Sequence, residues 1–280
     1  TASLSTRSGA PGTPLNVSGE GFGPSQGGIA VSFDGKQVAS GSADATGSFS
    51  IPFNVPPLAA GSYTVSVGNT SLTFTVTSSF SVSPQSGPPG TTVNVTGSGF
   101  GANTTVSIAF DGTLLRSVSA DGQGAISTTF QAPVTPGGPR VVSASGPSVG
   151  GVQSTFTVTP LLSLDRPNAS PGNSVTATGV GFGASETGIT ISFDGNLVAS
   201  GIAADAQGKW SSPFTVPTAA AGSRTIRASG SLTSAVSVPV VTLTLGAALK
   251  LDRSSGPPGA TLQVSGSGFR ARESITVIVG

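Results

Sequence analysis

The sequence predicts an all-β protein of tandem β-sandwiches, and three observations carry that prediction. Short runs alternate apolar and polar residues and stop at Gly, Pro, Asn or Asp about every 8–12 positions, the rhythm of sandwich strands. No window sustains apolar spacing at i, i+3, i+4 and i+7, so helix content should be close to nil. One set of landmarks also returns along the 280 residues in a fixed order.

The landmarks justify the elements one by one. Pro-Gly at Pro11, Pro89, Pro171 and Pro258 marks a turn between the first two strands. In Leu15-Asn16-Val17 and Val93-Asn94-Val95 the apolar side chains should face inward and Asn should face solvent. The strand runs into Val17-Ser-Gly-Glu-Gly-Phe22-Gly, which recurs at Phe100, Phe182 and Phe269, spaced 78, 82 and 87 residues apart. These Phe residues should plug each small core. Next comes Phe-Asp-Gly at Asp34, Asp111 and Asp194. In Val31-Ser-Phe-Asp-Gly-Lys-Gln-Val38 it is a strong two-residue hairpin signal. An Ala-Asp-x-x-Gly turn follows at Asp44, Asp121 and Asp205, then a Phe with a nearby Pro, as in Phe53 and Pro56.

This register divides the chain at 1–78, 79–160, 161–247 and 248–280: three full units and the start of a fourth. The connections are short and poor in Gly, as in Phe74-Thr-Val-Thr-Ser-Ser-Phe-Ser-Val82, which predicts a semi-rigid rod. The fourth unit should form three strands. Segments below about 40 residues seldom fold alone. Either the chain continues through further repeats, or a neighbouring copy supplies the missing strands by strand addition and makes a head-to-tail polymer. The opening at Thr1, without Met, reads as a processed or excerpted form of a longer precursor.

The run Ser83-Pro-Gln-Ser-Gly-Pro-Pro-Gly-Thr-Thr-Val-Asn-Val-Thr-Gly-Ser-Gly-Phe100 resembles the opening of IPT/TIG-type immunoglobulin-like domains. The resemblance extends over essentially the whole chain. Related repeats occur in large prokaryotic cell-surface proteins, so it implies immunoglobulin-like sandwiches and an extracellular setting. Such modules act as spacers, adhesive tips and filament subunits, so the resemblance leaves the role open. Gly61-Ser-Tyr-Thr-Val65 is similar to the penultimate strand of such modules, with Tyr63 at the corner position. Arg140 and Arg224 stand there in the second and third units.

Composition narrows the chemistry. The chain has no Cys, Met or His, 41 Gly, 21 Pro, 45 Ser and 33 Thr, and 8% charged residues. Without Cys and His there is no thiolate nucleophile, no Ser-His-Asp triad and no zinc site of the usual ligands. The expectation is a non-enzyme with no catalytic residue, no cofactor and no metal. A net charge of +1 provides no basic field for nucleic acid, and no run of 18 apolar residues suggests a membrane span. The recurring acids Asp34, Asp111, Asp194, Asp44, Asp121 and Asp205 are too few per unit for the six to eight oxygens of a calcium site. Turn chemistry explains them better. Trp210 aligns with Phe49 and Ile126 and reads as core rather than as a sugar platform. The Gly-x-Gly-Phe-Gly strings lack the helix and Lys-Ser/Thr of a phosphate loop. Lys36, Lys209 and Lys250 do not recur with a carboxylate helper, so crosslinks are disfavoured.

Five Asn-x-Ser/Thr sequons, at Asn16, Asn69, Asn94, Asn103 and Asn168, are candidate N-glycosylation sites. The alternative is that these Asn merely cover strand faces. The sequence therefore points to a structural part of a cell-surface stalk, sheath or filament. Its partners would be other copies, neighbouring surface proteins or glycans. An adhesin or carbohydrate-binding array, or a spacer in a large secreted hydrolase, is the alternative.

Overall fold

The computed structural model describes residues 1–278, all of them strand, turn or loop. The first sandwich is built from β1 (Ala2–Leu4), β2 (Ser8–Gly9), β3 (Pro14–Gly19), β4 (Ile29–Phe33), β5 (Lys36–Gly41), β6 (Phe49–Asn54), β7 (Gly61–Val67) and β8 (Thr70–Val76). The second is built from β9 (Ser79–Ser83), β10 (Ser86–Gly87), β11 (Thr92–Ser98), β12 (Thr105–Phe110), β13 (Thr113–Ser119), β14 (Ile126–Gln131), β15 (Gly138–Gly146) and β16 (Val149–Val158). The third has β17 (Leu161–Leu164), β18 (Asn168–Ala169), β19 (Ser174–Val180), β20 (Ile189–Phe193), β21 (Asn196–Ile202), β22 (Trp210–Thr215), β23 (Gly222–Ser229) and β24 (Val241–Leu245). A hairpin-like pair, β25 (Ala248–Leu251) and β26 (Val264–Ser267), follows.

Each sandwich packs a three-stranded sheet on a five-stranded one. The orders are β1-β3-β6 on β2-β8-β7-β4-β5, then β14-β11-β9 on β10-β16-β15-β12-β13, then β17-β19-β22 on β18-β24-β23-β20-β21. The single opening strand expected before the Pro-Gly turn is divided in two. β1 pairs antiparallel with β3, and the chain then crosses so that β2 pairs parallel with β8. Thr75 N–H donates to Arg7 C=O at 2.9 Å and Thr77 N–H to Gly9 C=O at 3.0 Å. The crossing fastens the start of the sandwich to its last strand.

Alternation fills the cores. Leu15, Val17, Ile51 and Phe53 of one sheet meet Val31, Phe33, Val65 and Phe74 of the other, all buried. Phe182 meets Trp210 edge-on at 5.3 Å in the third core, as Phe22 meets Phe49 at 5.0 Å in the first. Burying a Phe or Leu side chain stabilises by about 1.5–3 kcal/mol, which makes these residues a main favourable contribution to each sandwich. The Asp34-Gly35 hairpin has φ of +52° and +76°, the left-handed pair a tight turn between twisted strands requires.

The chain partitions into two compact units. One comprises Thr1–Gln85, Thr92–Phe130 and Arg140–Phe156, and the other Ser86–Thr91, Gln131–Pro139 and the chain from Thr157 onward. The division passes through the second sandwich.

The last segment departs from expectation. Two strands form there among the described residues, not three, and Ile275, Val277 and Ile278 are exposed in irregular backbone. In the complete sandwiches the corresponding strand lies between two others, as β4 lies between β7 and β5. Residues 248–278 contain neither neighbour, so a third strand has no ladder to join.

Candidate functional site

Three joints, two between consecutive sandwiches and one between the third sandwich and the β25–β26 pair, share one construction. Ala60, in the loop entering β7, donates its N–H to Gly99 C=O at 2.7 Å. Gly137 N–H donates to Phe182 C=O at 3.0 Å, and Ala221 N–H to Gly268 C=O at 2.6 Å. The first joint lies within the first compact unit and the other two within the second. Only two residues separate β8 from β9, β16 from β17 and β24 from β25.

The second Gly of each Gly-x-Gly-Phe turn makes this fit possible. Gly99, Gly181 and Gly268 have φ of +82°, +71° and +82°. A Cβ would stand 2.9 Å from Ser78 Cα, 2.6 Å from Thr159 O and 2.8 Å from Gly246 O, each in the connection from the preceding sandwich. Backbone conformation and close approach both demand Gly. Gly21, the first sandwich's counterpart, has φ of +91° but meets nothing closer than Thr1 N at 3.9 Å.

The loop that donates across the joint is braced from below. Tyr63 Oη donates to Ala59 C=O at 2.9 Å, and Arg224 Nη2 donates to Ala220 C=O, in each case one residue before the bridging amide. Arg224 thus performs the corner role that Tyr63 has in the first sandwich. Arg224 also pairs with Asp194 at 3.3 Å, and Asp194 Oδ1 accepts Thr225 N–H at 2.9 Å. Asp111 repeats this with Arg140 at 3.3 Å and Val141 N–H at 2.9 Å. The Thr225 N–H, with its hydroxyl and Arg224, holds the Asp194 carboxyl below its usual range although partial burial opposes them. Burial and the nearby Asp34 charge push the Tyr63 phenol up. In the second and third sandwiches the Phe-Asp-Gly residue, Asp111 or Asp194, is therefore both a hairpin corner and part of the brace.

The other recurring acids serve turns. Asp44 Oδ1 accepts the N–H of Thr46 and Ser48, Asp121 Oδ1 those of Gln123 and Ala125, and Asp205 Oδ1 those of Gln207 and Lys209, all at 2.8–3.0 Å. A third recurring acid escaped the sequence reading. Asp165 and Asp252 accept the N–H of Thr176 and Gln263 at 3.0 and 2.9 Å, a place Ser5 fills in the first sandwich by accepting Asn16 N–H. A one-residue Ser/Asp exchange hid the recurrence. Among the described residues no group of three or more His, Cys, Asp or Glu could hold a metal ion.

Glu186 is the residue that sequence reasoning missed. It is 1% exposed, and its carboxylate accepts four hydrogen bonds at 2.7 Å. The donors are Gly183 N–H, Leu232 N–H, Thr233 N–H and Thr233 Oγ1. Burial raises its pKa, but the four donors outweigh burial and set it below the ordinary carboxylate value. The loop it holds, between β23 and β24, exposes Leu232 and Val236, at 72% and 92%. Two signals pointed there: the 87-residue spacing, longer than the others, and Glu186 standing where Gln26 stands in the first sandwich.

The five sequons are spread rather than gathered. Asn69 caps the β7–β8 hairpin, Asn103 sits in a turn at φ of +57°, and Asn94 and Asn168 lie on strands, all four exposed. Asn16 lies on the outward face between buried Leu15 and Val17 but is half-buried there. Its Nδ2 donates to Ser50 Oγ at 2.9 Å and its Oδ1 accepts from the same hydroxyl at 3.2 Å. Among the described residues no helix is long and apolar enough to cross a membrane.

Solved structures similar to the chain include the D0-D1 domain of intimin, at 19% identity over 60% of this chain and 99% of that one, TM-score 0.26. Invasin, described as a bacterial integrin-binding protein, matches at 14% identity over 95% of this chain and 67% of that one, TM-score 0.26. Bacteroides ovatus SGBP-B, of the mixed-linkage glucan utilization locus and in complex with a mixed-linkage heptasaccharide, matches at 16% identity over 84% and 65%, TM-score 0.31. No curated protein matches the chain. The IPT/TIG domain model matches twice in tandem, at residues 2–81 and 78–160, more than half of the sequence. By those two matches, the chain belongs to the IPT/TIG domain family.

Proposed function

We propose that the protein is a non-catalytic structural component of a cell-surface stalk, sheath or filament, made of immunoglobulin-like beads with boundaries near residues 78, 160 and 247. The observation that supports this reading is the joint. An amide-to-carbonyl bridge into the Gly-Phe turn and a buried Gly recur three times over connections of two residues, the acceptor being Gly99 and Gly268 at two joints and Phe182, one residue further on, at the middle one. A chain selected for holding consecutive beads at a set spacing needs that repetition, whereas a chain selected for one reactive centre does not. The carboxylates in turns and braces are committed to backbone amides, which suits a scaffold. In this reading the protein lies outside the cell. It meets other copies or neighbouring surface proteins, and it carries N-glycans on its exposed sequons. Residues 248–278 leave Ile275, Val277 and Ile278 exposed, apolar surface that in this reading meets a second copy.

Electron microscopy of native material tests the proposal. The expected result is fibres with a regular bead repeat, lost when residues 248–280 are deleted. Isolated monomers that bury the fourth segment within their own chain would refute it. An adhesive or glycan-binding role is a second reading. Its support is the loop held by Glu186, which presents Leu232 and Val236 from an ordered backbone. Saturable glycan binding abolished by altering those two residues would favour it.

A further inference from the structure

The outer edge of β14 differs from the matching edges in the other two complete sandwiches. β6 and β22 carry Pro52 and Pro213, which face Asn16 and Thr176 across their sheets. Pro has no N–H, so these positions direct their backbone away from the neighbouring strand and deny the edge a donor at its centre. Aligning Ile126 and Phe130 with Phe49 and Phe53 places Thr129 at that position. The direction of its backbone agrees: Thr129 C=O accepts Arg116 Nη1 from β13 at 2.6 Å. In an antiparallel strand the N–H and C=O of one residue point the same way. Thr129 and Ser127 therefore each offer a donor and an acceptor to the outside.

Nothing in β14 blunts this edge. The strand has no Pro and no charge, and the side chains of Ser127 and Thr129 are exposed. Edges of that kind invite pairing unless a charge or Pro guards them, and here the guard is the Arg116 contact. A strand also fits the place. The sheet is three-stranded, β14-β11-β9, whereas the constant-type immunoglobulin sheet carries a fourth strand beside this one.

We propose that β14 pairs antiparallel with β14 of a second copy, about a two-fold axis at Thr129. Thr129 then faces Thr129, and each N–H meets the other C=O. The same patch serves both partners, as an isologous interface requires. An uncharged strand meets its own image without like-charge repulsion, and two three-stranded sheets become one of six. Arg116 must release the Thr129 carbonyl first, which keeps the pairing weak in the unaltered chain. The inference rests on the reading of the protein as a self-associating surface component and names a lateral contact for it.

Sedimentation velocity of the full chain over a concentration series tests the pairing. Arg116→Ala should tighten dimerisation about a hundredfold, roughly tenfold for the competing hydrogen bond that each of the two copies no longer has to give up. Arg116→Gln, with a shorter amide, serves as the second variant if Ala perturbs folding. Thr129→Pro, the residue found at 52 and 213, should abolish the dimer of either variant while its circular dichroism stays that of the parent. A chain that remains monomeric with Arg116 replaced overturns the proposal, as does a dimer that persists with Pro at 129. Fibres that survive Thr129→Pro would leave the structural reading intact and remove only this contact. Fibres lost on deleting 248–280 with the dimer kept would be the opposite case.

Discussion

Replacing Glu186 with Ala takes the acceptor from four donors at once. Each buried donor left unsatisfied costs about 1–3 kcal/mol, so four set a ceiling near 4–12 kcal/mol. The loop between β23 and β24 can open and let water reach Leu232 and Thr233, so the cost should fall short of that ceiling. About 3–5 kcal/mol is expected, the range for removing one partner from a buried charged network. Gln26→Ala is the control. Gln26 accepts a single N–H, from Gly23 at 2.9 Å, and is exposed, so about 1 kcal/mol or less is expected. Thermal unfolding gives the difference, and amide exchange at Leu232 and Thr233 shows whether the loop is what loosens. The pH dependence has a fixed sign. The folded pKa lies below the ordinary 4.5, so the stabilisation is complete above about 4.5 and is lost as pH falls through the folded value. Glu186→Gln should remove that acid limb. A cost below about 1 kcal/mol for Ala, with unchanged exchange at Thr233, would refute the account of Glu186 as the anchor of this loop.

Three further expectations follow from the joints and the sequons. Gly99→Ala should cost roughly 1–2 kcal/mol for left-handed backbone plus the clash with Ser78, whereas Gly21→Ala should cost only the backbone part; paired melting curves compare them. Arg224→Tyr should be tolerated within about 1 kcal/mol, because Tyr63 makes the matching bond to Ala59, while Arg224→Ala should speed amide exchange at Ala221. Peptide mass spectrometry of native material should find glycan on Asn69 and Asn103 and none on Asn16, whose amide is engaged with Ser50.

The sandwich class was legible because alternation and Asp-Gly corners are local signals. Leu15, Val17, Val93 and Val95 turn inward as their period of two demands. The second Gly of Gly-x-Gly-Phe was visible as a recurrence, but its cause was not, since Ser78 or Thr159 approaches it only after two beads have docked. The Arg224–Asp194 brace was hidden for a related reason. Its partners stand 30 residues apart, and the matching site in the first bead uses Tyr63 instead. Glu186 carried no local mark, because three of its four donors stand 46–47 residues further along the chain. The third strand expected near Ile275 failed because a strand needs neighbours as well as alternation, and a pattern reports only the second.

The parallel pairing of β2 with β8 sets how a bead resists tension. Pull on the two ends of the first bead, and β2 is drawn back along its axis while β8 is drawn forward along the same axis. The bonds of Thr75 to Arg7 and of Thr77 to Gly9 are then loaded side by side and must yield together, instead of parting one at a time as at a hairpin end. The third bead repeats the arrangement, with Thr244 bonded to Pro167 and Gly246 to Ala169. A force applied along such a chain meets a shear clamp at each complete bead before it reaches any core.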